Sequence, residues 1–403
     1  MNFKKPAEAI QPWLEEQRHW LHRHPELSFQ EWETTKYIVS QLEAMDIPVT
    51  TFPDYPGCIG HIKGSKPGKT VMLRADIDAL PTVENSGVEF ASENPGVMHA
   101  CGHDCHATNL LGASKLLKAV ESELCGSVEL LFQSGEEDFT GSRYYVHNGY
   151  LDDVDFVYGM HVWPNIPSGT LDISDGKRMA SCDNFIVTVH GVSAHGSQPH
   201  NGKDAIVAAS SIIMNLQTLV SRMNDPLNPL VVTVGKITAG TQFNIITDTA
   251  VLEGTIRGYS RAIREQVKEE FHKLVRTTAE SLGCTVDIEY RWLEDPISND
   301  DHKVNAIARA AAAKLVGAEN VRTLPAGLGS EDFGYLVNDR TGTRPVRNCA
   351  FGFVGCYDES CGAVWSIHSD KFKINEAILH IGAAQYAQFA YDYLEEMAKE
   401  AAK

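Results

Sequence analysis

The sequence contains no long hydrophobic run. It has no window near the roughly 18 consecutive apolar residues that a membrane-spanning helix needs, and no apolar core of signal-peptide length follows Lys4 and Lys5. Positive charge is also scarce, since 35 lysines and arginines face 53 acidic residues and the formal net charge is −18. Such a charge repels phosphate backbones and anionic lipid. We therefore expect a cytoplasmic protein that binds neither nucleic acid nor membranes.

The cysteines form no recognisable disulfide framework. They number nine, an odd count spread over 403 residues, which suits a reducing compartment. A structural zinc finger would need a second ligand pair at finger spacing, and Cys356 and Cys361 have no histidine partners. The length favours two domains, and the hydrophobic content of 43% is that of a globular protein.

Two patterns divide the chain. Short apolar strands alternate with helices over residues 1–180 and again over 294–403, which predicts an α/β domain whose sheet is covered on both faces. Residues 181–293 instead follow the order β-α-β-β-α-β, which is that of a ferredoxin-like fold. We therefore predict that 181–293 form a second domain inserted into the first, with hinges at 174–178 and 294–300.

Local signals within these domains predict individual elements. Residues 57–62 and 70–76 flank a Gly/Lys/Pro turn, which is typical of a hairpin. A helix is predicted to begin at Arg261, with Ser260 as its cap and Gly283 at its end.

Three histidines, two cysteines and an aspartate fall within the nine residues 98–106, a density that indicates a metal site. Cys101 and His103 are two residues apart, so in extended backbone both side chains point to the same side and can face one metal ion. Thiolate and imidazole ligands favour zinc, whereas carboxylate ligands admit manganese. The pattern leaves both metals open.

Candidate partners for this segment follow predicted strands. Glu136 and Glu137 lie in the segment 133–138, which begins where the apolar run 127–132 ends, the position at which α/β sheets present ligand-binding residues. His161 follows another predicted strand. If Glu137 binds metal, Glu136 is left to take a proton from metal-activated water and deliver it to a leaving amine. His368 can complete the set. The sequence therefore predicts a metal-dependent hydrolase.

Blocks along nearly the whole chain resemble the co-catalytic metallo-aminoacylase and carboxypeptidase family, specifically its amidohydrolase branch of N-acyl-amino-acid, hippurate and auxin-conjugate hydrolases. The matching blocks are 22–28 (HRHPELS), 73–81 (LRADIDALP), 98–106 (MHACGHDCH), 135–137 (GEE), 159–161 (GMH), 193–200 (SAHGSQPH) and 329–333 (GSEDF). The resemblance implies two divalent ions per subunit, zinc or manganese, and Glu136 as general acid and base. The implied metal ligands are Cys101, His103, Glu137, His161 and His368.

The resemblance further implies that the inserted domain is a lid and dimer interface, so that the protein is a homodimer or a homotetramer built from such dimers. His195 matches the family's lid histidine, which reaches a neighbouring subunit's active site. Asn244 and Arg257 match its contacts to the substrate carboxylate, a task that suits a guanidinium group. Asp76 and Asp78 stand where the carboxypeptidase members carry His-x-Asp, and we expect them to orient the ligands.

The expected reaction is hydrolysis of the amide in an N-acyl amino acid with a free carboxylate, with the metals and His195 stabilising the oxyanion. A dipeptidase or carboxypeptidase on the same site is the alternative, and the two differ in whether an acyl group without an α-amine is accepted. A binding protein that keeps the metal without turnover is a third possibility. The intact Glu136 argues against it.

Overall fold

The computed structural model describes residues 1–338 and 348–403, and its backbone divides into two compact units. The first unit comprises Met1–Arg178, Ser298–Pro325 and Tyr335–Lys403. The second comprises Met179–Ile297 and Ala326–Gly334. The chain thus leaves the first unit near one predicted hinge, re-enters it within the other, and returns to the second unit for one short segment.

The secondary structure alternates between strands and helices along most of the described chain. The strands are β1 Val49–Phe52, β2 Tyr55–Lys63, β3 Lys66–Asp76, β4 Cys125–Gln133, β5 Phe156–Pro167, β6 Leu171–Asp172, β7 Gly176–Met179, β8 Ser181–His190, β9 Ala194–His195, β10 Leu230–Ala239, β11 Ile245–Ile246, β12 Thr249–Gly258, β13 Thr285–Glu294, β14 Ile297–Asn299, β15 Val321–Arg322 and β16 Asn348–Tyr357. The α-helices are α1 Lys4–Ala9, α2 Gln11–Arg23, α3 Trp32–Glu43, α4 His103–Lys118, α5 Gly141–His147, α6 Ala205–Thr218, α7 Arg261–Ser281, α8 His302–Val316, α9 Phe333–Val337 and α10 Leu379–Ala401.

The first unit is built on a mixed eight-stranded sheet in the order β1-β2-β4-β3-β5-β16-β6-β15. Its central strands β4, β3, β5 and β16 are mutually parallel. The carboxyl ends of these four strands therefore meet at one edge of the sheet, where open α/β sheets bind ligands. The predicted mixed α/β fold is confirmed for this unit.

The hairpin predicted for residues 57–76 is wrong. Strand β4 lies between β2 and β3, antiparallel to the first and parallel to the second. All three strands are largely buried, so each needs a neighbour on both sides to satisfy its backbone. The turn instead crosses the start of β4, where the Gly64 N–H donates to the Gly126 carbonyl at 2.9 Å and where a Cβ on Gly64 would clash with the Leu124 carbonyl.

The second unit contains an antiparallel four-stranded sheet in the order β10-β12-β8-β13. The chain visits its elements in the order β8, α6, β10, β12, α7, β13. Helices α6 and α7 pack on one face of this sheet, where their residues Ile212 and Phe271 share a buried core with Phe185 and Val187 of β8. Ser260 caps α7 by accepting from the Ile263 N–H, as predicted.

One helical stretch of the described chain, Ala205–Met223, is long and apolar enough by length and composition to cross a membrane. It consists of α6 and the turn that follows. One side of it, including Ala209 and Ile212, packs in the core of the second unit, whereas Met214 on the other side is 70% exposed. A helix that packs one apolar face on a protein core also meets these criteria of length and composition.

Helix α4 is buried along nearly its whole length and packs against α10 and α2. Gly112 makes this packing possible, because a Cβ at this position would lie 2.6 Å from the Ala383 Cβ and 2.7 Å from a methyl group of Leu14. The helix that begins with His103 can therefore approach its neighbours closely only with glycine at position 112.

We expect Gly112→Val to destabilise the first unit. Overpacking costs about 1–3 kcal/mol, which outweighs the roughly 0.5 kcal/mol that valine gains over glycine in helix propensity. Urea unfolding followed by tryptophan fluorescence measures this change, since five of the six tryptophans lie in the first unit. Gly235→Val is the control, because a Cβ at Gly235 has no atom within 4 Å. Equal midpoints for the two variants would contradict the packing argument.

Candidate metal centre

Cys101 and His103 come together at the amino end of α4. The extended backbone assumed from the sequence is wrong, because Gly102 is left-handed (φ 93°) and His103 begins the helix. Glycine adopts this conformation without penalty, and a Cβ there would clash with the side chain of Val162. The left-handed turn at Gly102, and not an extended backbone, brings the two side chains together. Their ligand atoms and that of His161 lie within 4.8 Å of one another.

Three further candidates, Glu136, Glu137 and His161, lie near Cys101 and His103 because of the parallel strands β4 and β5. Glu136 and Glu137 lie just beyond the end of β4, after Ser134 and Gly135, as predicted. His161 does not follow a strand but lies inside β5, which continues to Pro167 because it keeps pairing with β16. The pairing of β5 with β3 stops two residues before His161. His161 therefore sits where one side of β5 has lost its neighbour.

His368 is distant from Cys101 in the sequence but lies next to it in the structure. Its backbone N–H donates to the Ala100 carbonyl at 2.8 Å, next to Cys101, and its own backbone is left-handed with φ 67°. The ligand atoms of Cys101, Glu137 and His368 lie within 4.8 Å of one another, and His368 Nε2 is 3.4 Å from Glu137 Oε1. Cys101 thus belongs to two triplets of ligand atoms, both in the first unit.

Two of these ligand atoms are buried without a hydrogen-bond partner, namely His103 Nε2 and Glu137 Oε1. They lie 4.0 Å apart, and Glu136 Oε2 is 3.9 Å from His103 Nε2, both beyond hydrogen-bond length. An unsatisfied buried polar atom costs about 1–3 kcal/mol. A thiol, imidazoles and a carboxylate are also the donors that divalent transition metals take. The residues therefore fit a metal ion.

Asp78 orients two of the candidate ligands at once. Its Oδ1 accepts from His103 Nδ1 at 3.1 Å, and its Oδ2 accepts from the Glu137 N–H at 2.9 Å and the Ser28 hydroxyl at 2.7 Å. Burial opposes the ionisation of Asp78, but these bonds outweigh it and lower its pKa. The bond to Asp78 holds a proton on His103 Nδ1, so Nε2 faces the cluster and is the nitrogen that releases its proton when a metal ion binds.

The centre favours positive charge. Burial opposes a charge on His103, yet Asp76 and Asp78 outweigh it and raise the pKa of His103 to about 10. Burial, together with the charges of Glu137, Glu136 and Asp76, raises the pKa of the Cys101 thiol well above its ordinary value. A cation that enters the cluster therefore relieves the repulsion among the negative charges of Glu137, Glu136 and Asp76.

His161 presents a neutral ring nitrogen. Burial and the neighbouring His106 lower the pKa of His161 well below its usual range. Its Nδ1–H donates to the Val162 carbonyl at 2.5 Å, which leaves Nε2 as an acceptor 3.4 Å from Cys101 Sγ. A neutral imidazole with one nitrogen fixed in this way is the form that binds metals.

Asp76 lies behind the cluster. Its Oδ1 accepts from His106 Nδ1 at 2.5 Å and its Oδ2 from Arg74 at 2.7 Å. Burial disfavours its charge, but His103, His106 and Arg74 outweigh burial and hold the pKa of Asp76 well below its usual range. His106 Nε2 accepts from the Val162 N–H at 2.9 Å, so both nitrogens of His106 are in use. His106 therefore supports the site from outside.

Glu31, which was not predicted from the sequence, is a fully buried carboxyl group just before α3. Its two oxygens accept from the Gly135 N–H at 2.9 Å and the Ser134 hydroxyl at 2.7 Å. Burial and the charge of Asp78 raise the pKa of Glu31 to about 8. Glu31 therefore anchors the turn that presents Glu136 and Glu137. In the sequence it is only an acid at the start of a helix, where acids are common.

The three remaining candidates lie in the second unit. His195 is opposite Ile245 in the short β9–β11 pair, and the Gly196 N–H donates to the Asn244 carbonyl at 2.8 Å, so His195 and Asn244 are neighbours. The Ser197 N–H donates to His195 Nδ1 at 3.1 Å. In β12, Arg257 donates to the Ser330 hydroxyl at 2.8 Å and to the Leu328 carbonyl at 3.2 Å.

A mixed-sheet α/β unit with thiol, imidazole and carboxylate donors gathered at the carboxyl edge of its strands is typical of metal-dependent hydrolases. A family model described as peptidase family M20/M25/M40 matches residues 72–392. The chain belongs to this family of hydrolases. The resemblance to metallo-aminoacylases and carboxypeptidases is thereby confirmed.

Relatives with different names cover most of the chain. An N-acetyl-L-cysteine deacetylase of Bacillus subtilis is 39% identical over 362 residues, which span 90% of this chain and 83% of the relative. Thermostable carboxypeptidase 1 of Saccharolobus solfataricus is 34% identical over 394 residues, 97% of this chain and 98% of the relative. The crystal structure of the Bacillus subtilis YXEP protein, a dinuclear metal-binding peptidase, matches with a TM-score of 0.82 at 33% identity, covering 96% of this chain and 99% of that one.

We expect Glu31→Ala to lower kcat about tenfold to a hundredfold, the usual cost of removing a group that orients metal ligands. Glu31→Gln should retain most of the activity, because its amide oxygen can still accept from the Gly135 N–H. Metal content and thermal stability, measured on the same samples, separate loss of positioning from loss of folding. Glu33→Ala is the control, since Glu33 is an exposed acid in α3. Full activity in Glu31→Ala would exclude the anchoring role.

Proposed function

We propose that the protein is a metal-dependent amidohydrolase that cleaves N-acyl amino acids with a free carboxylate into an amino acid and a carboxylic acid. The observation that carries this proposal is the position of Glu136. It is buried, 7% exposed, beside two ligand triplets that share Cys101. A general base beside a metal centre is the arrangement that amide hydrolysis needs.

The two triplets support two cations. We assign Cys101, His103 and His161 to one cation, and Cys101, Glu137 and His368 to the other. The YXEP structure, which is described as dinuclear, supports the same number. Either zinc or manganese suits this donor set. When bound, the cations supply the Lewis acidity that polarises the amide carbonyl and activates water.

Glu136 performs the proton transfers in this proposal. As the base it accepts a proton from the attacking water, and as the acid it delivers that proton to the nitrogen of the departing amino acid. Its partner Glu137 is held apart by the bond from its own N–H to Asp78, at 2.9 Å. This bond fixes the backbone that carries Glu137, and because side chains of adjacent residues point in different directions, the two carboxylates suit separate roles.

His195 supplies a donor for the negative charge that develops on the carbonyl oxygen. Because Nδ1 accepts from the Ser197 N–H, the proton of a neutral His195 is on Nε2, the form that stabilises an oxyanion. The family resemblance implies that this histidine acts in the active site of a neighbouring subunit. Asn244, its neighbour in the β9–β11 pair, and Arg257 would bind the substrate carboxylate.

We infer that the second unit is a ferredoxin-like lid that pairs two subunits. Its strand β10 lies at the edge of the four-stranded sheet. The adjacent surface carries exposed apolar side chains, among them Met214 at 70% and Val207 and Ile237 at 49% each. Free strand edges and apolar patches are typical of interfaces. A homodimer, or a homotetramer built from two dimers, would cover them in the cytoplasm.

A dipeptidase or carboxypeptidase activity is the second candidate. The 34% identity to a thermostable carboxypeptidase over nearly the whole chain supports it. Both reactions use the same centre and the same free carboxylate on the substrate. They differ in whether the acyl side carries an α-amine.

We expect metal-reconstituted protein to hydrolyse N-acetyl, N-benzoyl or long-chain N-acyl amino acids faster than simple dipeptides. The measurement is kcat/KM for this panel with zinc and with manganese, before and after exhaustive chelation. Faster turnover of dipeptides would favour the second candidate. Activity that survives chelation would exclude both candidates.

We expect Glu136→Gln to retain bound metal and to lose about 10²- to 10⁴-fold in kcat, the usual contribution of general acid–base catalysis. Metal analysis and turnover on the best substrate of the panel measure the two effects. Asp138→Asn is the control, because it removes an exposed acid two residues away. Loss of metal from Glu136→Gln with no further loss of rate would exchange the roles assigned to the two glutamates.

A further inference from the structure

A row of three side chains crosses the sheet of the second unit. Cys182 of β8 pairs with Arg257 of β12 on one side and with Glu294 of β13 on the other. Directly opposed residues of antiparallel strands project from the same face, with Cβ atoms about 4.5–5.5 Å apart. Phe185 faces the helices from β8, and Cys182, three residues away, faces the opposite side. Arg257 and Glu294 therefore share the face that the helices leave open.

Arg257 is held without a counterion. Among the residues that the structure describes it forms no ion pair, and its NH1 donates to the Ser330 hydroxyl and the Leu328 carbonyl instead. Both acceptors are neutral and belong to the segment 326–334, which is part of the same unit. The guanidinium thus keeps its positive charge and most of its donors for another anion.

Glu294 is the acid of the row, and both of its carboxyl oxygens are fully buried. Burial raises the pKa of Glu294 to about 8, with the charges of Asp332 and Glu331 acting in the same direction and the Ser330 hydroxyl and Arg257 opposing them. The following residue, Asp295, is paired with Arg264 at 2.6 Å. Glu294 is therefore a neutral acid at neutral pH.

We propose that Glu294 is a specificity-determining residue for the substrate carboxylate, because its neutral form leaves Arg257 free to bind that carboxylate and its ionised form takes the place of the carboxylate. This inference rests on the proposed function, in which Arg257 binds the free carboxylate. Two of the groups that face Glu294 come from the neighbouring strands, namely Arg257 and Cys182. The others come from the segment 326–334 and are Ser330, Glu331 and Asp332. Of these, Arg257 alone carries a positive charge.

The sign of the pH dependence follows from this competition. Below the pKa of Glu294 the row carries a net positive charge and attracts a carboxylate. As the pH rises through about 8, the carboxylate of Glu294 forms and neutralises Arg257. The KM of an N-acyl amino acid should therefore rise on the alkaline side. The KM of the corresponding carboxamide, which carries no charge, should not.

The experiment compares KM at pH 9.5 with KM at pH 7 in the metal-loaded protein, for an N-acyl amino acid and for its carboxamide. In the wild type we expect a ratio of about ten or more for the acid, because each pH unit above the pKa reduces the neutral fraction roughly tenfold. In Glu294→Gln, which has the shape of the neutral acid but does not titrate, the ratio should fall to about 1–2. Glu289→Gln, an exposed acid on the same strand, is the control and should keep the wild-type ratio.

Arg257→Ala distinguishes failure of this inference from failure of the proposed function. If Arg257→Ala affects acid and carboxamide equally, the carboxylate assignment itself is wrong. If it selectively raises KM for the acid while Glu294→Gln keeps the wild-type pH ratio, Glu294 does not control the site. Should Glu294→Gln fail to fold, calorimetry on metal-loaded Glu136→Gln at pH 8.5 replaces it. Uptake of about three-quarters of a proton when the acid binds, as a pKa of about 8 requires, and of none with the carboxamide supports the inference, and equal uptake overturns it.

Discussion

The carboxylate of Asp78 is the contact on which the metal centre depends. It joins the first residue of α4, the turn after β4 and the segment before α3 through three hydrogen bonds of 2.7–3.1 Å. These three segments are far apart in the sequence and have no strand pairing with one another. Without a shared acceptor, the imidazole of His103 and the carboxylate of Glu137 would each need a separate constraint. One buried anion thus fixes the distance between two candidate ligands.

Asp78 is one of three buried acids that surround the candidate ligands and set the electrostatic potential there. Asp76 and Asp78 lie behind His103, and Glu31 lies behind the turn that carries the glutamates. Two of these three acids are ionised and paired with cations or N–H donors, while the third, Glu31, has a pKa raised to about 8. On the other side of His103, its Nε2 and Glu137 Oε1 are buried without a hydrogen-bond partner. The negative potential of the buried acids therefore makes this cluster favourable for a cation.

The sequence predicted the composition of the site better than its geometry. Periodicity sufficed for the β-α-β-β-α-β order of the second unit, because one face of an antiparallel sheet alternates clearly between buried and exposed residues. It failed for residues 57–76, because buried strands next to a short turn give the same pattern whether or not a third strand lies between them. Cys101 and His103 converge through a left-handed glycine and not through extended backbone. Glu31 could not be found, since its role depends on a turn a hundred residues later.

The attachment of His368 makes the centre dependent on the whole first unit. Its N–H bond to the Ala100 carbonyl joins a segment near the carboxyl terminus to the start of α4, and the chain between them includes all of β8–β13. During synthesis, the side chains from Cys101 to His161 emerge long before His368. A nascent chain can therefore gather one triplet of candidate ligands early, whereas the other stays incomplete until His368 has been made, so that filling both triplets requires synthesis to pass β16.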